Sequence, residues 1–163
     1  MSDGPSQVYS ALDALGIAFQ RYDHPPVFTG EDAALHWADI PARGMKNLFL
    51  RNQKGTRYYL VIVKHSKRMD LRALADQIGD GKLSFASADR LMTRLGLTPG
   101  SVSPFGLIHD AGHEVRVVLD RDLKAAERVS FHPNINTVTL TLTFADFEKF
   151  LSACGNIVNY VTV

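Results

Sequence analysis

A lysine and an asparagine directly precede an apolar run, in the stretch MKNLFLRN that covers residues 45–52. Lys46 carries three N–H donors and a positive charge, whereas Asn47 offers two donors and an acceptor. Their place at the entrance of a predicted strand makes this pair a candidate for a functional site. The alternative is that Lys46 is simply solvated, as lysines at the ends of strands usually are.

Three irregular segments rich in proline, glycine or polar residues add further candidates: DHPPVFT (23–29), GSVSPFG (100–106) and SFHPNINT (130–137). A loop held by glycine and proline can point several backbone N–H and C=O groups into one cleft. Such groups can hold an oxyanion without any unusual side chain. Taken alone, each segment is more simply an ordinary turn. Together with residues 45–47, they would make four polar loops or edges in one small domain.

Several common catalytic motifs do not occur in the sequence. There is no GxxxxGK[ST] loop, no GxGxxG, no HExxH and no Gly-x-Ser-x-Gly elbow that would support a serine nucleophile. The six histidines are scattered, and the turn signal Ala111-Gly112 separates the pair with helical spacing, His109 and His113. The one cysteine, Cys154, excludes a disulfide within the chain and is interpreted as a small packed residue. The sequence therefore predicts no metal site, no cofactor and no covalent nucleophile.

Positive charge is concentrated in one part of a nearly neutral chain. The net charge is +1, but residues 43–72 hold nine basic residues and one acid, a local charge of +8 against −7 for the rest. The overall balance argues against a broadly basic nucleic-acid binder, whereas the asymmetry suggests one face suited to a polyanion. The alternative is that alternate residues of a hairpin point to water. The candidates for the polyanion face are Arg51, Lys54, Arg57, Lys64, Lys67 and Arg68.

Length and composition favour one soluble domain. A chain of 163 residues with 45% hydrophobic residues has ample material for a single core, so residues 1–163 are expected to form one domain. The start MSDGPSQVYS lacks the basic residues and apolar run of a secretory signal, and no stretch approaches the roughly 18 apolar residues of a membrane span. A cytoplasmic protein is expected, with neither a membrane nor DNA as a partner.

The spacing of apolar residues predicts a mixture of helices and strands. Helices are predicted over 5–16, 30–40, 70–79, 88–96 and 144–155, with one or two helical turns over 122–129. Strands are predicted over 17–23, 46–52, 57–64, 83–87, 113–120, 137–143 and 156–163, and residues 97–107 are predicted to be a loop. The second and third strands form a hairpin with Gly55 in its turn, which favours a mixed rather than a fully parallel sheet. The predicted fold class is α+β, with helices packed round a mixed, curved or partly barrel-like sheet.

The irregular segments and the MKN stretch, taken in chain order, carry a family resemblance. DHPPVFT, MKNLFLRN, GSVSPFG and FHPNINTVTLTL together resemble the YbaK/ProX family, whose members are freestanding relatives of the editing domain of bacterial prolyl-tRNA synthetases. The resemblance runs from the first helix to the FEKFL helix and implies a YbaK-like fold. It also implies a trans-editing deacylase, which hydrolyses the ester between a wrong amino acid and tRNA(Pro). The pattern is most like that of Ala-tRNA(Pro) deacylases, while sister groups act on cysteine or other small residues.

The resemblance also assigns roles to individual residues. The family's functional lysine falls on Lys46, as a clamp on a phosphate of the tRNA 3′ end, and its G-x-x-x-P loop falls on residues 100–104, whose backbone would position water and stabilise an oxyanion. The expected catalytic residues are Lys46, Gly100, Ser101, Val102, Ser103 and Pro104; the expected substrate-binding residues are Val27, Phe28, Thr29, Asn47, Phe49, Phe105, Gly106, His132 and Asn134. Within that set, Val27, Phe28, Phe49 and His132 would form the wall that excludes larger amino acids. The six basic candidates of the polyanion face would carry the acceptor stem.

Two other classes of function stay open on the residues alone. One is a non-catalytic module that binds RNA or a synthetase, for which Lys46 and the GSVSPFG loop would be dispensable. The other is an unrelated small-molecule hydrolase, for which the sequence offers neither a nucleophile nor a metal site. The expected partners are mischarged tRNA(Pro) and, as a further candidate, prolyl-tRNA synthetase.

Overall fold

Two β-sheets and four α-helices make up most of the chain that the structure, a computed structural model, describes: residues 4–23, 45–64, 67–135 and 137–163. The helices are α1 (Gly4–Ala14), α2 (Leu71–Ile78), α3 (Ala88–Leu95) and α4 (Phe144–Cys154). The strands are β1 (Gln20–Asp23), β2 (Met45–Asn52), β3 (Tyr58–Lys64), β4 (Leu83–Phe85), β5 (Val115–Asp120), β6 (Arg128–Phe131), β7 (Val138–Thr143) and β8 (Val158–Val161). Short 3₁₀ helices cover Pro99–Ser101, Pro104–His109 and Arg121–Ala125.

The larger sheet has five strands in the order β4-β2-β3-β5-β8. β2 pairs antiparallel with β3 and β4, whereas β3, β5 and β8 run parallel, so the mixed sheet predicted from the sequence is confirmed. The predicted hairpin of β2 and β3 is present, with Gly55 at φ +68° in its turn. β3 lies at the centre and is buried on both faces, which explains its unbroken apolar run YYLVIV.

The smaller sheet has three antiparallel strands in the order β1-β7-β6. The predicted alternation of β7 is confirmed, since Val138, Leu140 and Leu142 all lie in one apolar core. On the other face, Thr139 and Thr141 are also buried whereas Thr143 is exposed, and the Thr141 hydroxyl lies 2.8 Å from that of Ser130 on β6. In the described chain the strands thus form two separate sheets, and no closed barrel is present.

Apolar side chains pack on both faces of the five-stranded sheet. The larger core lies between the two sheets and includes residues of α1, α3 and α4, such as Leu12, Leu95 and Phe147. The smaller core lies on the other face, where Leu74 of α2 packs with Leu50 and Val63 of the hairpin. Alternate residues of β2 therefore face different cores, which decides where the polar residues at its start can reach.

The helix boundaries follow local capping chemistry. The side chain of Asp70 accepts hydrogen bonds from two backbone N–H groups at the start of α2, and Gly79 ends that helix at φ +76°. Thr143 caps α4 in the same way, and Gly155 ends it. The predicted helices over 70–79, 88–96 and 144–155 are confirmed. None of the helices in the described ranges is long and apolar enough to cross a bilayer.

Two segments differ from the prediction. Residues 130–137 were expected to be irregular and 122–129 helical, but the helical turn ends at Ala125 and residues 128–131 form β6. Val129 and Phe131 are buried against the core, and pairing with β7 overrides the local preference for a turn. The predicted loop over 97–107 contains two 3₁₀ turns. The helix predicted over 30–40 lies outside the described residues.

Candidate active site

Lys46 is the second residue of β2 and lies at one edge of the five-stranded sheet. It is paired in register with Val63, close to the end of β3. Its side chain is partly buried, and the Nζ atom donates a 2.7 Å hydrogen bond to the backbone carbonyl of Lys67. An ammonium has three N–H donors, and within the described ranges this contact uses one of them, which leaves two that can bind a ligand.

Lys46 and Asn47 leave the strand on opposite faces. Lys46 alternates with Leu48 and Leu50, which belong to the smaller core, whereas Asn47 lies on the side of Phe49, in the larger core. The prediction that Lys46 and Asn47 belong to one functional site did not take this alternation into account. The two side chains can reach a common ligand only around the edge of the sheet.

Among the residues that the structure describes, three asparagine side chains have a buried polar atom without a hydrogen-bond partner: Asn47, Asn134 and Asn156. The Oδ1 atom of Asn47 makes no hydrogen bond, and the same holds for both side-chain polar atoms of Asn134, although these atoms are inaccessible to water. Asn134 also has φ +63°, a left-handed conformation that asparagine tolerates better than most residues. A buried polar group left unpaired costs about 1–3 kcal/mol, so Asn47 and Asn134, which the sequence already placed among the substrate-binding residues, are candidates to pair with a polar ligand.

The segment GSVSP runs between two 3₁₀ turns. The Ser101 N–H donates to the Thr98 carbonyl at 2.9 Å, and the Phe105 N–H donates to the Ser103 hydroxyl oxygen at 3.1 Å. The hydrogen bonds within the described ranges do not use the N–H groups of Val102 and Ser103. These two consecutive donors are the backbone groups that this loop can offer to an anion.

The GSVSP segment is anchored to the larger core immediately after Pro104. Phe105 is 0% exposed and makes edge-to-face contacts with Phe131 and Phe150, at centroid distances of 6.0 and 5.3 Å. Gly106 fits closely against α3 and the chain after it: a Cβ atom there would lie 2.6 Å from Leu97 Cδ1. The loop is therefore held by rigid neighbours on its C-terminal side.

The structure places two of the expected wall residues in well-packed positions. Phe49 is 4% exposed and stacks on Tyr58 at a centroid distance of 5.5 Å. His132 is partly buried, and its Nδ1 lies 2.8 Å from the Val138 carbonyl. Because a carbonyl only accepts, Nδ1 carries the hydrogen. Val27, Phe28 and Thr29 lie outside the described residues, so their placement stays a prediction.

The basic residues of the predicted polyanion face lie at two ends of the β2–β3 hairpin. Arg51, Lys54 and Arg57 are at the turn, whereas Lys64, Lys67 and Arg68 follow the other end of β3. The six residue steps along β3 separate the two groups by about 20 Å. Lys46 shares its end of the hairpin with the second group, so that group is the one placed to meet a substrate held by Lys46.

Lys67 is held by two carboxylates that the sequence analysis did not single out. Its Nζ lies 2.7 Å from Asp120 Oδ2 and 2.6 Å from Asp122 Oδ2. Asp120, followed by Asp122, raises the pKa of Lys67, and Lys67 lowers the pKa of Asp122. The ion pair between Lys67 and Asp122 therefore stabilises the fold at neutral pH. This contribution is lost in acid as Asp122 gains a proton and in alkali as Lys67 loses one. The signal in the sequence was the acidic pair in LDRD, at the end of the strand predicted over 113–120.

Cys154 lies in a setting that suppresses thiolate formation. Burial, with a smaller effect of the Asp110 carboxylate, raises the pKa of its thiol to about 11. At pH 8 roughly one molecule in a thousand then carries a thiolate. Cys154 thus packs against the larger core, as the sequence suggested, and its thiol stays protonated at neutral pH.

This pKa makes alkylation of Cys154 a direct measurement. We expect iodoacetamide to react with the folded protein at pH 8 at least tenfold more slowly than with the same protein unfolded in guanidinium chloride. Deacylation by Cys154→Ala should match that of the unaltered protein. Equal alkylation rates in the folded and unfolded states would contradict the raised pKa.

The sequence of the chain and its fold match one protein family. The model of the aminoacyl-tRNA editing domain matches residues 24–150, so the chain belongs to this family. The resemblance stated from the sequence is confirmed, and with it the assignment to aminoacyl-tRNA editing enzymes, a class of hydrolases.

Individual relatives support this assignment. The chain is 43% identical, over 94% of both chains, to the prolyl-tRNA editing protein ProX of Acetoanaerobium sticklandii. It is 34% identical to the mouse prolyl-tRNA synthetase associated domain-containing protein 1, over 93% of this chain and 91% of that one. Its fold matches the crystal structure of a proposed trans-editing enzyme for prolyl tRNA synthetase, with a TM-score of 0.73 and 23% identity over 100% and 99% of the two chains.

Proposed function

We propose that this protein hydrolyses mischarged tRNA(Pro), with Ala-tRNA(Pro) as its main substrate. The observation that carries the proposal is the 43% identity, across 94% of both chains, to a protein named for prolyl-tRNA editing. The unpaired Oδ1 atom of Asn47 and the unpaired side-chain amide of Asn134 support it, since an aminoacyl-ribose presents both donors and acceptors to a pocket.

The proposed reaction needs no covalent intermediate with the protein. The oxygen of a water molecule attacks the ester carbonyl carbon, the bond to the ribose oxygen breaks, and that oxygen takes up a proton as free amino acid and tRNA separate. An aminoacyl ester is already activated and its neighbouring ribose hydroxyl can assist. The protein's task is then to place the water and to stabilise the developing negative charge.

The segment Gly100–Pro104 is the proposed source of that stabilisation. Val102 and Ser103 contribute consecutive N–H groups that their neighbours leave unused, and the packing of Phe105 keeps the loop in place. Donors fixed before the reaction stabilise charge without having to reorganise. The buried hydroxyl of Ser103 caps the following turn, so we assign it a structural role in the loop.

Lys46 is the proposed clamp on a phosphate of the tRNA 3′ end. The carbonyl of Lys67 holds its ammonium at the sheet edge and leaves two donors for the phosphate. Asn47, on the other face of β2, would orient the ribose or the amino group. Lys46 and Asn47 would then contact the 3′ end of the tRNA from opposite faces of β2.

Selectivity is proposed to arise from the volume of the pocket. One methylene changes binding in a synthetase pocket by only about 1–3 kcal/mol, so a second site that admits alanine and excludes larger residues is useful. Proline must be excluded as well, which requires rigid walls. Phe49, stacked on Tyr58, and His132, fixed through Nδ1, have the rigidity this requires, and Val27 and Phe28 are the other proposed wall residues.

A panel of three esters tests the proposed function. Purified protein incubated with Ala-tRNA(Pro), Cys-tRNA(Pro) and Pro-tRNA(Pro) should hydrolyse the first fastest and leave the last at the buffer rate. Faster loss of the cysteinyl ester would reassign the substrate. Loss of none of the three above the buffer rate would show that the protein is not this deacylase, and retained tRNA binding would then indicate a binding module.

The proposed partners follow from the substrate. The protein would meet mischarged tRNA(Pro) in the cytoplasm, where prolyl-tRNA synthetase releases it. A direct complex with that synthetase is a further proposal, which co-purification of the two proteins would test.

A further inference from the structure

Lys67 joins two parts of the structure that the proposed mechanism treats separately. Its carbonyl accepts the hydrogen bond of Lys46, while its own ammonium is held by Asp120 and Asp122 at the end of β5. The Lys67 N–H donates in addition to the Lys64 carbonyl at 3.0 Å. The residue is therefore held through its N–H, its carbonyl and its side chain at once.

The side-chain contacts of Lys67 are stronger than those of an ordinary surface lysine. Its side chain is only 22% exposed, and that of Asp120 is 1% exposed. The other carboxyl oxygen of Asp120 accepts from the Asp122 N–H at 3.1 Å, which fixes the carboxylate that faces Lys67. The Val163 backbone oxygen lies 3.3 Å from the same Lys67 ammonium. Asp122 and Val163 accept hydrogen bonds from the ammonium, whereas Asp120 Oδ2 contacts it as an ion-pair partner without hydrogen-bond geometry. Several partly buried contacts to one charged group hold its side chain in one place.

We propose that Lys67 is a positioning residue for Lys46, and that the Asp120–Lys67 ion pair fixes the carbonyl that orients the Lys46 ammonium. This inference rests on the proposed function of Lys46 as a phosphate clamp. It also removes Lys67 from the residues that bind tRNA directly, because its own charge is already engaged by two carboxylates.

A double-mutant cycle separates this role from a general effect on folding. Lys67→Met keeps the aliphatic stem and the carbonyl but removes the ion pair, and should lower kcat/KM for Ala-tRNA(Pro) about tenfold. In the Lys46→Ala background the same change should alter kcat/KM less than twofold, because the group that Lys67 positions is gone. Lys67→Arg, which keeps the charge, should restore most of the activity. Lys149→Met, on the exposed face of α4, is the matched control and should leave activity unchanged.

The result that overturns the proposal is equally specific. If Lys67→Met is as active as the unaltered protein, or lowers kcat/KM by the same factor with and without Lys46, Lys67 does not act through Lys46. Asp120→Asn takes the place of Lys67→Met in the cycle if the latter does not fold.

A second measurement does not depend on deacylation. The NMR signal of the Lys46 ammonium, identified by its loss in Lys46→Ala, should exchange with water faster in Lys67→Met than in the unaltered protein and in Lys149→Met. An unchanged exchange rate would overturn the positioning role even if no ester were hydrolysed. Failure of the ester panel with a changed exchange rate would overturn only the proposed function.

Discussion

Replacing Lys46 with alanine is expected to lower kcat/KM for Ala-tRNA(Pro) by roughly 10²-fold. The change removes an ammonium that the structure holds at the sheet edge, with two of its donors available for a phosphate. The partner phosphate would then lose its counter-charge in the bound state. Initial rates of alanine release at fixed ionic strength measure the effect.

The salt dependence of the reaction gives this prediction a second readout. A contact between Lys46 and one phosphate adds about one to the slope of log(kcat/KM) against log salt, so the Lys46→Ala variant should show a shallower slope. Lys149→Ala removes an exposed lysine of α4 and should change neither the rate nor the slope. Near-normal turnover by Lys46→Ala would show that this lysine is a solvated strand end after all.

Replacing Gly106 with alanine is expected to lower the free energy of unfolding by about 1–3 kcal/mol. The added Cβ would lie 2.6 Å from Leu97 Cδ1 and 3.1 Å from Leu95 Cβ, both buried, and 3.2 Å from the Leu95 carbonyl oxygen. Two of these contacts are to the Cβ and the backbone of Leu95, which cannot rotate away, so the turn itself is expected to shift. Because that turn carries Phe105 and follows the GSVSP segment, deacylation should fall as well. Urea unfolding followed by circular dichroism measures the loss of stability.

Gly112→Ala is the matched control for this substitution. A Cβ at Gly112 would meet Glu114 Cγ at 3.3 Å, but that side chain is 60% exposed and can shift at the expense of no more than its surface ion pair with Arg94, which contributes little to stability. Its effect should stay within about 0.5 kcal/mol, as for most surface changes. If the two variants unfold at the same urea concentration, the close packing of Gly106 does not limit the stability of the fold.

Elements with local signals were predictable from the sequence. The helix α2 has its cap, Asp70, and its stop, Gly79, within ten residues, and the hairpin of β2 and β3 has a glycine turn between two apolar runs. The strand β6 was missed because its four residues form a strand only through pairing with β7. Its Val129 and Phe131 do alternate in type, but the HPN that follows reads as a turn.

The arrangement of the candidate site depended on contacts that are distant in the sequence. Lys46 was identifiable as unusual from its neighbours alone, whereas its hydrogen bond to Lys67 depends on where the chain returns after β3. The Asp120–Lys67 pair depends in turn on the parallel pairing of β3 with β5, which no local pattern specifies. The opposite directions of Lys46 and Asn47 followed from strand periodicity and were available from the sequence.

The lengths of the strands affect how readily two copies of this protein can pair strand to strand. Those at the margins of the two sheets, β1, β4, β6 and β8, have only three or four residues, whereas the strands of six to eight residues are internal. A short margin exposes few unsatisfied backbone groups and is a poor template for another chain. Within the described ranges, β4 covers β2 only from Leu50 onwards, so the first residues of β2 form a longer open edge, and the charged Lys46 lies there. A charge on an open strand edge disfavours pairing with the strand of another chain.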